Sequence, residues 1–177
     1  VYGIVCDLDN NSAKERIFQI KGRSKKKVLI GFVKDIKTAR NLAEISGTAL
    51  ASVKKSWPGP VTFIFKAKKK IPYLISEKGE IGLRIPACPL VSQVLKEIPL
   101  ASTSANFSGK SSPAHPGEIP RDFKDKADLV VDGGKVGGKE SNIWHLVNSP
   151  KLLRGNILFI CSGNSCRSPM AENLLKK

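Results

Sequence analysis

Thirteen residues near the C-terminus, Asn156-Ile157-Leu158-Phe159-Ile160-Cys161-Ser162-Gly163-Asn164-Ser165-Cys166-Arg167-Ser168, constrain this chain more tightly than any other stretch. A short apolar run ends in Cys161, and Arg167 follows six residues later. Asn156 to Ile160 reads as a buried strand. Pro169 to Lys177 reads as the helix after it, with Ser168 as N-cap and Pro169 at the first helical position. The turn between them aims backbone N–H groups and a helix N-terminus at one point. Cys161 sits there as a thiolate, its pKa lowered by those N–H groups and by Arg167. The pattern predicts a phosphate cradle containing a nucleophile. The chain stops nine residues after Ser168, so the domain begun here is expected to be incomplete.

These residues resemble the opening of the low-molecular-weight tyrosine phosphatases and arsenate reductases. The resemblance makes Cys161 the nucleophile that attacks phosphorus and Arg167 the clamp on the phosphoryl oxygens. Asn164 and Ser168 become the supports of the loop. The family's general acid lies far downstream of this motif. For this chain the resemblance therefore implies phosphatase ancestry over residues 156–177 and an inactive fragment, because one strand and one helix cannot enclose a dry site.

The preceding 155 residues suffice for one domain with a real core. No apolar run approaches a membrane span and no signal peptide is visible, so a membrane role is not expected. Val1-Tyr2-Gly3-Ile4-Val5 reads as the middle of an element, so the N-terminus is expected to be a cut that omits a first strand. Cys6, Cys88, Cys161 and Cys166 form no C-x-x-C pair and are not spaced with the two histidines as metal ligands, so free thiols in a reducing cytoplasm are expected, with no protein-held metal. Thirty Lys and Arg against fifteen Asp and Glu give a net charge of +15. Lys21, Arg23, Lys25, Lys26 and Lys27 crowd one loop, and Lys66, Lys68, Lys69 and Lys70 another. Such clustering suggests a polyanionic partner: RNA, DNA, nucleotide phosphates or anionic lipid.

Ser12-Ala13-Lys14-Glu15 reads as a capping box opening a helix that carries Ile17 and Phe18 inward and ends at Gly22. Val28–Val33 reads as a strand, 36–46 and 49–56 as helices broken at Gly47, and Trp57-Pro58-Gly59-Pro60 as a rigid turn. Val61–Ala67 and Ile81–Ile85 read as strands. Pro89–Glu97 reads as a helix with Val91, Val94 and Leu95 inward, and Leu100–Thr103 as a strand. A long Ser/Gly/Pro-rich loop spans 104–119, of the kind that is functional or disordered. A helical turn follows at Asp122–Lys126, then strands at Leu129–Asp132, Ile143–Val147 and Lys151–Arg154, the last at an edge. Strands mixed with helices without strict alternation predict an α/β (α+β) domain on a twisted mixed sheet with flanking helices. A strand–P-loop–helix fragment follows a boundary at Arg154-Gly155.

Four polar segments fall at element ends, where sites are built. Lys21-Gly22-Arg23 can grip phosphate oxygens. Arg84 lies between apolar strand neighbours and points opposite Leu83 and Ile85. Ser102 to Asn106, with Ser108 and Ser112, offers hydroxyls and free N–H groups to an anion. Glu140-Ser141-Asn142 with Arg154 forms the fourth.

In this order, with Tyr2-Gly3, Arg16-Ile17-Phe18, Trp57 to Thr62, Arg84-Ile85-Pro86, Ser112-Pro113, Asp132-Gly133-Gly134 and Leu153-Arg154, these segments resemble a YrdC-like domain over residues 1–155. That resemblance implies a nucleotidyltransferase, a threonylcarbamoyl-AMP synthase that uses L-threonine, bicarbonate and ATP with Mg²⁺ and releases pyrophosphate. Its product supplies the transferase machinery that makes N6-threonylcarbamoyladenosine in tRNA, and related domains bind double-stranded RNA. By resemblance, Lys21, Arg23, Lys27, Ser104, Ser112 and Arg154 face ATP, with Asn106 completing the family's S-x-N. Arg84 takes the threonine carboxylate, and Ser102 and Ser141 line the threonine and carbamate region. The chain departs from the family's usual residues at Ser24, Lys27, Phe32, Cys88 and Asn142. Two other readings remain: an RNA-binding regulatory module without catalysis, and a phosphatase in a longer fusion.

Overall fold

In a computed structural model of the chain, residues 1–137 and 139–155 are described. The strand, cradle and helix read at 156–177 lie outside them.

Eight strands form one mixed sheet: β1 Gly3–Asp7, β2 Ile30–Phe32, β3 Ala43–Glu44, β4 Val61–Ala67, β5 Glu80–Arg84, β6 Leu100–Ser104, β7 Asn142–His145 and β8 Lys151–Arg154. Their order is β1-β6-β2-β5-β4-β7-β8, with β3 paired to β4 off this path. The β2–β5 and β4–β7 pairs are parallel and the others antiparallel. The helices are α1 Asn11–Lys21, α2 Ile36–Leu42, α3 Gly47–Ser56, α4 Pro89–Glu97 and α5 Arg121–Asp125.

Side-chain alternation divides the sheet into two chemistries. One face carries Phe63, Phe65, Ile81, Leu83 and Ala101, packed in one cluster with Ile17 and Phe18 of α1, Ala39 of α2, and Ala49 and Val53 of α3. The other face carries Ser102, Ile30, Gly82, Ile64 and His145 in a row of cross-strand partners. Thr62 and Arg84, two residues along from Ile64 and Gly82, share that face. Helices thus cover the apolar side and leave the polar side to loops.

Several sequence expectations shift for physical reasons. The cap of α1 is Asn10, whose side chain accepts from Ala13 N; Ser12 instead donates to the Asn10 amide oxygen at 2.9 Å. Gly22 does close the helix, at φ 56°. Gly47 opens α3 rather than breaking a helix, because Ser46 caps it and the preceding residues Ala43–Glu44 leave α2 to pair with β4. Within α4 only Leu95 is buried: Val91 is half-buried and Val94 is 41% exposed, so the helix docks by a narrow stripe. Leu129–Asp132 is not a strand. Leu129, Val130 and Val131 are exposed, and the segment finds no partner strand among the described residues, so its β propensity goes unused. Tyr2 instead holds its end, accepting from Gly133 N at 3.0 Å and donating to the Gly134 carbonyl at 2.6 Å.

Candidate active site

The end of α1 builds the first half of the site. Gly22 N donates to Gln19 O and Arg23 N to Phe18 O, a reversal that turns Lys21 and Arg23 toward β6 and the loop after it. Lys21 is only 2% exposed. Its ammonium donates to the Ser104 carbonyl at 2.5 Å, the Asn106 carbonyl at 2.6 Å and the Asn106 side-chain oxygen at 3.2 Å, and lies 5.8 Å from the Phe123 ring centre. Ser104 donates its hydroxyl to the same Asn106 oxygen at 2.5 Å, and the Asn106 amide donates to Lys110 O. Lys21 is therefore a strut that shapes the 104–110 loop, its donors spent on protein oxygens. Burial lowers its pKa to about 8, the Arg23 cation adds to the effect, and Glu140 opposes it.

Arg23 donates to Thr103 Oγ1 at 2.8 Å and Val28 O at 2.9 Å. Its Nε is buried without a partner among the described residues. Lys27 is exposed, 3.4 Å from the Ser108 hydroxyl it donates to, and its ammonium remains open to an incoming anion.

The second half forms where β4, β5, β7 and β8 meet. Arg84 donates through Nε to Gly59 O at 2.8 Å, and its guanidinium lies 5.6 Å from the centre of the Phe32 ring. The turn before β4 makes that contact possible: a Cβ on Gly59 would lie 2.3 Å from Ser56 O, so only glycine brings this carbonyl to the arginine. Arg154 donates to the Ser141 carbonyl at 3.0 Å and hydroxyl at 3.1 Å. The Ser141 hydroxyl lies 3.0 Å from that of Thr62, which is 1% exposed.

Glu140 accepts from the Ser112 hydroxyl and pairs with Arg154, and its charge reaches Lys21 in the other half. Ser102, 4% exposed, lies between them on β6. Burial, and next the nearby Arg154 cation, press the Arg84 pKa down, while Cys88 opposes them. Glu140 thus pairs with Arg154 and acts on Lys21, while Lys21 feels Arg23 and Arg84 feels Arg154. Like charges held together without an anion repel one another, and an anionic ligand relieves that repulsion. The structure brings together Lys21, Arg23, Ser104 and Asn106 as one group and Arg84, Ser141, Arg154 and Ser112 as the other. Cys161 and Arg167 lie outside the described residues. Sequence reasoning missed Thr62 as a member of the site and gave Thr103 no role beyond the hydroxyl-rich 102–106 segment; the alternation of Thr62 against Phe63 and Phe65 is the signal that could have found it. Among the described residues, no group of three or more His, Cys, Asp or Glu side chains could hold a metal ion, and no helix is long and apolar enough to cross a membrane.

The family model described as telomere recombination, the Sua5–YciO–YrdC family, matches residues 1–155. The chain belongs to that family. A putative threonylcarbamoyl-AMP synthase of Methanocaldococcus jannaschii is 38% identical over 76% of this chain and 64% of its own length. The threonylcarbamoyl-AMP synthase of Pyrococcus abyssi is 33% identical over 86% of this chain and 46% of its own length. The chain therefore spans about half to two thirds of these relatives. The crystal structure of P. abyssi Sua5 complexed with L-threonine superposes with a TM-score of 0.78 at 33% identity, over 87% of this chain and 47% of that one. E. coli YciO gives a TM-score of 0.77 at 27% identity, over 88% of this chain and 78% of that one. The low molecular weight phosphotyrosine protein phosphatase model matches residues 156–177. The Sua5–YciO–YrdC membership agrees with the resemblance drawn from the ordered polar segments and with the mixed sheet they predicted.

Proposed function

We propose that residues 1–155 form one threonylcarbamoyl-AMP synthase unit that joins L-threonine, bicarbonate and ATP, and that residues 156–177 begin a separate phosphatase-type unit. The observation that carries this reading is the run of mutually felt charges in which Arg23 acts on Lys21, Glu140 acts on Lys21 and pairs with Arg154, and Arg154 acts on Arg84. The relatives named for this activity support it.

The chemistry suits such a cleft. The threonine amine adds to bicarbonate and loses water to give a carbamate. A carbamate oxygen then attacks the α-phosphorus of ATP, and pyrophosphate leaves. No protein nucleophile is required; the protein brings anions together and neutralises charge on the phosphates. Arg84 would take the threonine carboxylate, with Ser102, Ser141 and Thr62 around the carbamate. Arg23, Lys27, Ser112 and Arg154 would meet the nucleotide, Arg154 exchanging Glu140 for phosphate. Lys21 would hold Ser104 and Asn106 in place. Mg²⁺ would arrive as part of the ATP substrate, since Glu140 is already committed to Arg154 and Ser112. The product would pass to the machinery that makes threonylcarbamoyladenosine in tRNA, in the cytoplasm.

Pyrophosphate release from ATP, Mg²⁺, bicarbonate and L-threonine, with each omitted in turn, tests the reading. Release that needs both threonine and bicarbonate is expected. Release independent of threonine, or none despite ATP binding, would sink it. The net charge of +15 favours a second reading, an RNA-binding module; it predicts steeply salt-dependent double-stranded RNA binding without turnover.

A further inference from the structure

Helix α1 carries a second lysine on its buried face. Lys14 lies one turn before Ile17 and Phe18 and two turns before Lys21, on the stripe that packs toward the sheet, and is 1% exposed. Its ammonium donates to the Leu8 carbonyl at 2.7 Å, which among the described residues is its one hydrogen bond. Asp9 and Asp7 lie near enough to act on this ammonium but neither pairs with it among the described residues, and an apolar side chain would fill this stripe at less cost. The proposed reaction makes no use of it.

Lys14 lines a recess of about 470 Å³ with Lys69, Lys70, Asn11, Asn41 and Thr38. This recess lies on the helix-covered side of the sheet, between α1, α2 and the β4–β5 connection, at the opposite end of α1 from Lys21. Lys69 and Lys70 are exposed at its rim. Asn11 begins α1, and because Asn10 caps only Ala13 N, the first-turn N–H groups of Asn11 and Ser12 have no intrahelical acceptor. Asp9 also lines the recess, and Asp7 acts on Lys14 from nearby, so two carboxylates stand against three lysines.

We infer that this recess is a second anion site, one that takes a phosphate group carried on a small molecule. Lys14 supplies the buried charge, Lys69 and Lys70 close on the outer oxygens, and Asn11, Asn41 and Thr38 offer further polar groups. The volume suits a small ligand rather than a bare ion. Asp9 can accept from a ribose hydroxyl, a contact that a nucleoside monophosphate can make beyond its phosphate group and inorganic phosphate cannot. The recess lies at the opposite end of α1 from Lys21 and shares no lining residue with the proposed synthase cleft.

Amide ¹H–¹⁵N spectra of the full chain, titrated with inorganic phosphate and separately with AMP, test the inference. Saturable shifts at Asn11, Ser12, Asn41, Lys69 and Lys70 are expected, at lower concentration for AMP; equal effects of the two would assign the site to free phosphate. Lys14→Met should abolish these shifts while leaving those at Lys21–Arg23 and Ser104–Lys110. Should that variant fail to fold, Lys69→Ser with Lys70→Ser, both at exposed positions, should weaken the recess shifts roughly tenfold. Shifts confined to the cleft, or recess shifts indifferent to all three lysines, would overturn the site. A cleft that binds neither ligand would leave the recess result intact, so the two readings fail separately.

Discussion

Replacing Lys21 by methionine separates the stability of this fold from the chemistry proposed for it. The lysine is 2% exposed and its pKa is lowered from 10.5 to about 8, chiefly by burial. The gap of about 2.5 pH units corresponds to about 3 kcal/mol by which the folded state disfavours the charged form at pH 7. Methionine removes that penalty but leaves the Ser104 and Asn106 carbonyls without their donor, at roughly 1–3 kcal/mol each. The two effects offset, so the variant should fold with a stability within about 2–3 kcal/mol of the parent. Synthase turnover should nevertheless fall at least about a hundredfold, because the 104–110 loop loses its strut. The pH dependence gives the sharper readout. Below pH 8 both folded and unfolded chains hold the Lys21 proton. From pH 8 to 10.5 the unfolded chain keeps a proton that the folded chain has released, so this residue makes stability rise with pH across that window. The stability of the parent minus that of Lys21→Met, from denaturant curves at pH 7 to 10.5, should climb by up to about 3 kcal/mol. A flat difference would mean an ordinary lysine and would refute the buried-strut argument.

Other substitutions probe the second half of the site. Ser141→Ala strands the buried Thr62 hydroxyl and should cost about 1–3 kcal/mol, with Thr62→Val in the same chain recovering part of it; a denaturation double-mutant cycle without coupling would count against the contact. Arg84→Ala should weaken L-threonine binding by calorimetry about a hundredfold, and Arg84→Lys should not restore it, since lysine cannot hold Gly59 O and a carboxylate in one planar fork. Gly59→Ala should lower the thermal midpoint by several degrees, consistent with a loss of about 2 kcal/mol or more, and impair threonine binding with it; a neutral result would show that the turn can yield.

Local chemistry decided much of what was readable in advance. Val61–Ala67 and Pro89–Glu97 form as the sequence predicts, because a β-branched and aromatic alternation and a proline-led amphipathic run are self-contained signals. Gly22 ends α1 because a left-handed residue there needs no tertiary help. Leu129–Val131 shows the limit: strand propensity is spent only where a partner edge exists. The start of α1 turned on a choice between Asn10 and Ser12, two residues equally able to cap, which only the path of the preceding turn could settle.

The sequence by itself determined the inventory of the site and its order along the chain: Lys21 and Arg23 about a glycine, Arg84 on a strand, a hydroxyl-rich loop, Ser141 and Arg154. These are properties of residue type and spacing, and they sufficed for the mixed-sheet class and the family. Only the tertiary structure decided what each group does. Register set Ser102 and Ile30 opposite each other and put Arg84 on the uncovered face. Burial turned Lys21 from a free cation into a strut, and long-range contacts recruited Thr62, Thr103 and Glu140. Solvation and distance between residues far apart in sequence fix such roles, and neither is a property of any local stretch of chain.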